Sequence, residues 1–146
     1  NLFLAHILDS IGNGRGITIE LNSQRKLGFY HPRVTQFIGS STNSEIFNKI
    51  NFKGKVMVIL DSDHSKQYVL KELEMYAPMV TKGCYLIVED TNIGIYDKKF
   101  WDWRDKRSLN SPLAALKEFN LTGFEPDNRI EEFYLTMSHN GYWVKL

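Results

Sequence analysis

Three acids stand at the ends of two apolar runs: Val56-Met57-Val58-Ile59-Leu60 stops at Asp61, and Tyr85-Leu86-Ile87-Val88 stops at Glu89-Asp90. One helix's worth of chain separates the runs, so the segment reads strand, helix, strand. A right-handed crossover lays such strands side by side, about 4.8 Å apart. Their carboxyl ends then open into one crevice, where open α/β sheets bind ligands. Three carboxylates in one crevice repel each other unless a cation or protons compensate them. Asp61, Glu89 and Asp90 are hard oxygen donors with Ser62, Asp63, His64, Thr91 and Asn92 close by in sequence. Such donors suit Mg²⁺, Mn²⁺ or Ca²⁺ better than zinc. For a single acid the plainer explanation, a helix cap or a surface ion pair, is preferred; the set is what points to a metal or catalytic centre.

The elements that must position these acids are legible from spacing. Residues 2–11 carry a helix-like apolar face, Gly12-Asn13-Gly14-Arg15-Gly16 breaks it, and Ile17–Leu21 reads as a strand ending near Glu20. In nucleotide-binding α/β folds an acid at the second strand's tip accepts hydrogen bonds from a ribose diol. Arg33–Ile38 reads as a further strand closed by Gly39-Ser40-Ser41-Thr42. That turn offers N–H groups and hydroxyls to an adenine or its ribose, and a plain helix-capping turn explains it as well. Asn43 or Thr42 caps a short helix over residues 43–50, and Val69, Leu73, Tyr76 and Val80 recur at helical spacing. Cys84–Val88 is continuously apolar, as a parallel strand buried on both faces is. Residues 93–110 read as a long loop over the crevice, in which Trp101 and Trp103 either close over an acceptor or pack the loop down. Ser111-Pro112 starts a helix, and Phe133–Met137 with Tyr142–Leu146 reads as a hairpin about Asn140-Gly141. The order describes a doubly wound, mostly parallel α/β sheet with an antiparallel C-terminal hairpin.

The 146 residues fit one domain, and 42% hydrophobic with 24% charged residues is ordinary globular composition. A net charge of +1 gives no bulk argument for nucleic acid or a membrane surface as partner. No apolar stretch approaches the ~20 residues that span a bilayer. The single Cys84 excludes an internal disulfide and fits a reducing, cytoplasmic setting. His6, His31 and His139 lack a chemical context and read as structural or exposed.

The stretch Val56–Ser65 followed by Tyr85–Asn92 resembles the cephalosporin hydroxylase / rhamnosyl O-methyltransferase family, and the Gly39–Thr42 turn and the closing hairpin fit the same family. The resemblance spans roughly residues 17–146 and is most specific at 56–92. It implies a class I, Rossmann-like fold and O-methyl transfer from S-adenosylmethionine, with a divalent metal, to a small hydroxylated acceptor such as a sugar or antibiotic. It also implies Asp61, Glu89 and Asp90 as metal ligands and Glu20, Gly39, Ser40, Ser41 and Asp61 as cofactor contacts. Asp61 is counted with the catalytic residues too, alongside His64 and Asp63 as candidates to take the acceptor's proton. The family's first strand and its Gly-rich turn have no counterpart ahead of Asn1, and Gly12–Gly16 reads as a helix-to-strand loop instead. The expectation is therefore an N-terminally truncated domain whose open strand edges invite homo-oligomers. The alternatives are a cephalosporin-hydroxylase-like protein, a degenerate fold that only binds a ligand or partner, and a metal-dependent hydrolase, the last disfavoured for want of a phosphate-cradling loop.

Overall fold

The computed structural model describes residues 2–22, 31–94, 109–131 and 136–146. The aromatic loop at 95–103 and most of the stretch expected as the hairpin's first strand lie outside the described residues. Two compact units divide the chain, Asn1–Asn51 and Phe52–Leu146.

In the first unit, helix α1 (Leu2–Ile11) runs through the glycine-rich connection into strand β1 (Gly16–Glu20), which pairs in parallel with β2 (Val34–Ile38). The register sets Glu20 opposite Ile38, so both strands reach their carboxyl ends together. Leu4, Ala5 and Leu8 on one side of α1 face Ile17, Thr18 and Val34. The short helix α2 (Ser44–Phe47) is capped by Asn43, whose side chain accepts from the Glu45 N–H.

The second unit holds a four-stranded sheet in the order β3-β4-β6-β5, with β3 at Val58–Leu60, β4 at Tyr85–Val88, β5 at Phe124–Pro126 and β6 at Tyr142–Lys145. β3 and β4 are parallel with Leu60 opposite Val88, and helix α3 (Lys66–Tyr76) is their crossover. A 3₁₀ turn, Ala77–Met79, ends α3, as Pro78 requires. Val69, Leu73 and Tyr76 are buried along α3, and Leu73 and Leu86 are fully enclosed. Truncating either to alanine costs about 2–5 kcal/mol by loss of transfer energy and creation of a cavity. Helix α4 (Pro112–Glu118) starts where Ser111 accepts from the Ala114 N–H. Among the described residues no helix is long and apolar enough to cross a membrane.

Two expectations change. The strand expected from Val56 begins at Val58, because Thr81 takes the Val56 N–H through its hydroxyl at 2.6 Å and gives its own N–H to the Val56 carbonyl. The second strand of the expected C-terminal hairpin, β6, is inserted into the sheet. Thr136 and Met137 are not in a strand, and β6 lies between β4 and β5, antiparallel to both. β4 and β5 therefore point the same way. The cause is local: a Cβ on Gly141 would stand 2.2 Å from the Val88 carbonyl oxygen. Glycine alone lets the turn seat against β4, where the Val88 N–H donates to the Gly141 carbonyl at 2.9 Å.

Candidate functional site

β3 and β4 end side by side, and the Glu89 N–H still donates to the Leu60 carbonyl at 2.9 Å, so the acids after both strands share one edge. Asp90 then adopts φ 54°, a left-handed conformation that a non-glycine residue holds only at some cost in strain. The bend follows directly on Glu89 and directs the next carboxylate towards the β3 side. Its Oδ2 lies 3.3 Å from His64 Nε2, and Asp61 Oδ1 lies 3.7 Å from the same nitrogen. One donor atom from each of Asp61, His64 and Asp90 lies within 4.8 Å of the others. Among the described residues, no Lys or Arg pairs with Asp61 or Asp90. Among the described residues the imidazole is the partner of both charges, which leaves a position where a cation would be stabilised.

The other acids nearby are committed differently. Glu89 Oε2 accepts from the buried Ser138 hydroxyl at 2.6 Å, so Glu89 is oriented from a residue 49 positions downstream. Asp63 Oδ1 accepts from the Ser65 N–H at 2.8 Å, closing the turn into α3. Hydrogen bonds from Ser65 hold the Asp63 carboxyl below the usual carboxylate range. The amide at the start of α3, Lys66 N–H, donates to Asn110 Oδ1 at 2.8 Å, while Ser65 itself makes no side-chain cap.

Behind Glu89-Asp90 the chain is clamped. Thr91 is fully buried and donates to the His139 carbonyl at 2.5 Å, and the Asn92 N–H donates to the Met137 carbonyl at 3.2 Å. Glu131 takes the Asn140 N–H at 2.6 Å and pairs with His139 Nδ1. The Ser138–Gly141 turn thus fixes the tip of β4 from the side away from His64's element.

In the first unit the Gly39 N–H donates to the Glu20 carbonyl at 2.8 Å, bringing Gly39 next to Glu20 at the carboxyl edge of the two strands. Gly39 has φ 142°, which side chains rarely adopt, and a Cβ there would meet Ile46 Cδ1 at 2.3 Å, so glycine is favoured without any role in binding. Ser40 Oγ bonds Thr42 Oγ1 at 2.9 Å and accepts the Thr42 N–H at 3.2 Å, closing the turn before α2, and Ser41 sits within that turn half-buried.

The family model described as Rhamnosyl O-methyltransferase/CmcI matches residues 1–146. The chain belongs to the rhamnosyl O-methyltransferase/CmcI family. Two relatives, both rhamnosyl O-methyltransferases, from Mycobacterium tuberculosis and Mycobacterium bovis, are each 35% identical over 100 residues, covering 63% of this chain and 41% of the relative. A third, a rhamnosyl O-methyltransferase from Mycobacterium leprae, is 49% identical over 45 residues, 31% of this chain and 20% of the relative. The matched segment thus spans about two fifths of the length of the first two relatives. No solved structure gives a significant match. The mixed α/β architecture with parallel strands agrees with a methyltransferase-like fold for this family member.

Two features of the family member escaped the sequence. Glu72, an acid inside the apolar stripe of α3, is only 2% exposed, and its Oε1 accepts from Ser62 Oγ at 2.7 Å. Its signal was present: it falls three residues after Val69 and one before Leu73, on the buried face. The second is a cluster in the first unit, where His6, Asp9 and His31 also bring donor atoms within 4.8 Å. The i, i+3 spacing of His6 and Asp9 on α1 was its only local hint.

Proposed function

We infer that this chain carries the cation site of an S-adenosylmethionine-dependent O-methyltransferase whose acceptor is a hydroxyl on a sugar or a similarly hydroxylated small molecule. The observation that carries this reading is the convergence of Asp61, His64 and Asp90 at the edge of two parallel strands, with no Lys or Arg from the described residues paired with the aspartates. Family membership supplies the reaction class, and the names of the mycobacterial relatives supply the sugar.

In this reading Asp61 and Asp90 hold a divalent cation, and Glu89, tied to Ser138 at the same strand edge and outside the group of converging donors, is the candidate third ligand. The cation, when bound, lowers the pKa of an acceptor hydroxyl and fixes its position. S-adenosylmethionine, when bound, supplies a methyl group on a sulfonium. The remaining work is alignment and proton removal, which fall to the chain's own residues. His64 Nε2, 3.3 Å from Asp90 and 3.7 Å from Asp61, is the candidate to accept the hydroxyl's proton. Asp63 is the weaker candidate, since its carboxylate is tied to Ser65 and held in its charged form by those bonds. Glu20 is the residue for the cofactor ribose, with the Gly39-Ser40-Ser41 turn beside it at the strand ends.

The test is a set of thermal melts with Mg²⁺ or Mn²⁺, with S-adenosylhomocysteine, and with both. A ligand that binds only the folded state stabilises it by about 2.7 kcal/mol at a hundred times its Kd. The expected result is a rise with metal and a further rise with the nucleoside. A rise with metal alone retains the cation site and removes the cofactor half. No rise with either ligand overturns the reading.

A further inference from the structure

Helix α3 buries a carboxylate where its apolar stripe calls for a leucine. Glu72 lies among Val69, Leu73 and Tyr76, all buried, and is itself 2% exposed. Enclosing a carboxylate is unfavourable compared with an apolar side chain of similar size, so stability alone does not account for it. Its Oε1 accepts from Ser62 Oγ at 2.7 Å. Ser62 follows Asp61 directly in the chain and sits in the loop that carries the cation-site residues into α3. At a rise of about 1.5 Å per residue, Glu72 lies roughly 9 Å along α3 from Lys66. The bond therefore folds the loop back along the helix instead of merely capping it.

Besides the approach of His64 to Asp61 and Asp90, two hydrogen bonds among the described residues act on the loop's far end. Asp63 accepts from the Ser65 N–H, and Asn110 accepts from the Lys66 N–H. Among the described residues, Ser62–Glu72 is the side-chain bond that reaches the Asp61 end. Asp61 is 64% exposed at its side chain and makes no hydrogen bond within the described residues besides its approach to His64. The orientation of that carboxylate thus depends on the backbone that Ser62 anchors.

We propose that Glu72 is a positioning residue for the cation site: by holding Ser62 it fixes the backbone that aims Asp61 at His64 and Asp90. The proposal rests on the cation reading given above. Residues behind metal ligands typically change metal affinity by about 10–100-fold when removed. The bond is internal to one loop and one helix, so the effect is set at the lower end of that range.

The experiment measures Mn²⁺ affinity by the electron paramagnetic resonance signal of the free ion, on the chain and on four variants, together with their metal-free melting temperatures. Ser62→Ala removes the donor from an exposed position. It is expected to weaken Mn²⁺ binding about tenfold with little change in the metal-free melt. Glu72→Ala is expected to weaken binding to the same degree, and combining it with Ser62→Ala adds nothing further, as for two halves of one interaction. Glu72→Gln keeps a carbonyl oxygen for the Ser62 hydroxyl and restores most of the affinity. Tyr85→Phe, which removes the bond from Tyr85 to Asp127 at the opposite end of β4, lowers the metal-free melt and leaves Mn²⁺ affinity alone. Ser62→Ala with the parent chain's affinity overturns the proposal while leaving the cation site standing; this variant decides the matter if Glu72→Ala does not fold. A parent chain that binds no Mn²⁺ overturns the cation reading itself.

Discussion

Among the described residues the chain builds two clusters of histidine and aspartate, one in each unit, and they differ in the charge that surrounds them. In the first, Asp9 lies between His31 Nε2 at 3.1 Å and Arg33 Nε at 2.6 Å, and Arg33 also reaches the Gly14 carbonyl at 3.1 Å. The Arg33 N–H points at His31 Nδ1, which makes that nitrogen the acceptor and leaves the proton on Nε2, facing Asp9. A metal at Nε2 would need the opposite tautomer and would sit next to a guanidinium. In the second cluster, Asp61 and Asp90 share one imidazole and, among the described residues, no Lys or Arg. The same residue types make a fastening where a resident guanidinium closes the charge, and the proposed cation site is the cluster that lacks one among the described residues. Proximity of donors is thus a weaker criterion than the balance of charge around them.

The largest effect expected from this comparison comes from neutralising one acid in each cluster. Asp61→Asn should abolish the metal-induced rise in melting temperature, through a loss of metal affinity of about a hundredfold or more, since a direct ligand should cost at least the upper end of what residues behind the ligands cost. Asp9→Asn should leave that rise intact and lower the metal-free melt, since it removes the partner of Arg33 and His31. Calorimetric titration with Mn²⁺ reads both. An Asp9 variant that loses metal binding while Asp61→Asn keeps it would reverse the assignment of the two clusters.

Glycine substitutions sharpen the contrast at the backbone. Gly141→Ala forces a methyl against the Val88 carbonyl, a rigid neighbour, and should destabilise by about 3 kcal/mol, near the upper end for overpacking. Because Val88 leads directly into Glu89-Asp90, the metal response should weaken with it. Gly39→Ala meets the flexible end of Ile46 at an unfavourable φ and should destabilise less, without touching the metal response. Urea unfolding with and without Mn²⁺ separates the two.

The pH response divides the units on the alkaline side. Burial, and then the charge of Glu72, push the Tyr76 hydroxyl up to about 12 from 10.0. A folded pKa above the unfolded value means stability that is complete below about pH 10 and declines above it, by about 1.4 kcal/mol at pH 11. Tyr85, raised by its bond to Asp127, adds in the same direction. Both tyrosines belong to the second unit. On the acid side both units lose stability as pH falls below about 4, the unfolded carboxylate value. Asp9 is held low by Arg33, Asp63 by Ser65 and Asp127 by Arg129. Tyr76→Phe should remove most of the alkaline loss measured by urea unfolding at pH 9 and 11, and an unchanged loss would rule out Tyr76 as its origin.

What could be read in the chain beforehand follows from how far each interaction reaches. The crossover from Asp61 to Glu89 was legible because apolar runs, a helical period and a proline stop are local signals. The cap at Ser111 and the helix after Asn43 were legible for the same reason. β5 was not: three residues ending in Pro126 carry no period, and the strand exists because β6 offers it a ladder. The Asn140-Gly141 turn was legible as a turn, but not that its glycine seats against Val88 of β4, a residue far away in sequence. At the site, His64 was visible through its place beside Asp61. The bond from Ser138 to Glu89 and the cluster of Asp9 with His31 join residues 49 and 22 positions apart, and no local pattern encodes either.

The smallest effect tests where the second cluster ends. Asp63 lies between Asp61 and His64 in sequence, yet its carboxylate faces the Ser65 N–H and closes a turn. Asp63→Asn keeps an acceptor for that N–H, so the metal-free melt should hardly move at neutral pH, by about 0.5 kcal/mol or less, as for an exposed substitution. Losing one exposed negative charge near the cation should weaken Mn²⁺ binding only a few-fold, and the difference should shrink as salt is raised, because exposed charges are screened over about 8–10 Å. Isothermal titration at low and high ionic strength measures this. A loss as large as that of Asp61→Asn, and insensitive to salt, would make Asp63 a direct donor. The site would then be an acid-rich loop binding at several points, and the distinction from the Arg33-closed cluster would lie in the number of carboxylates as much as in the missing cation.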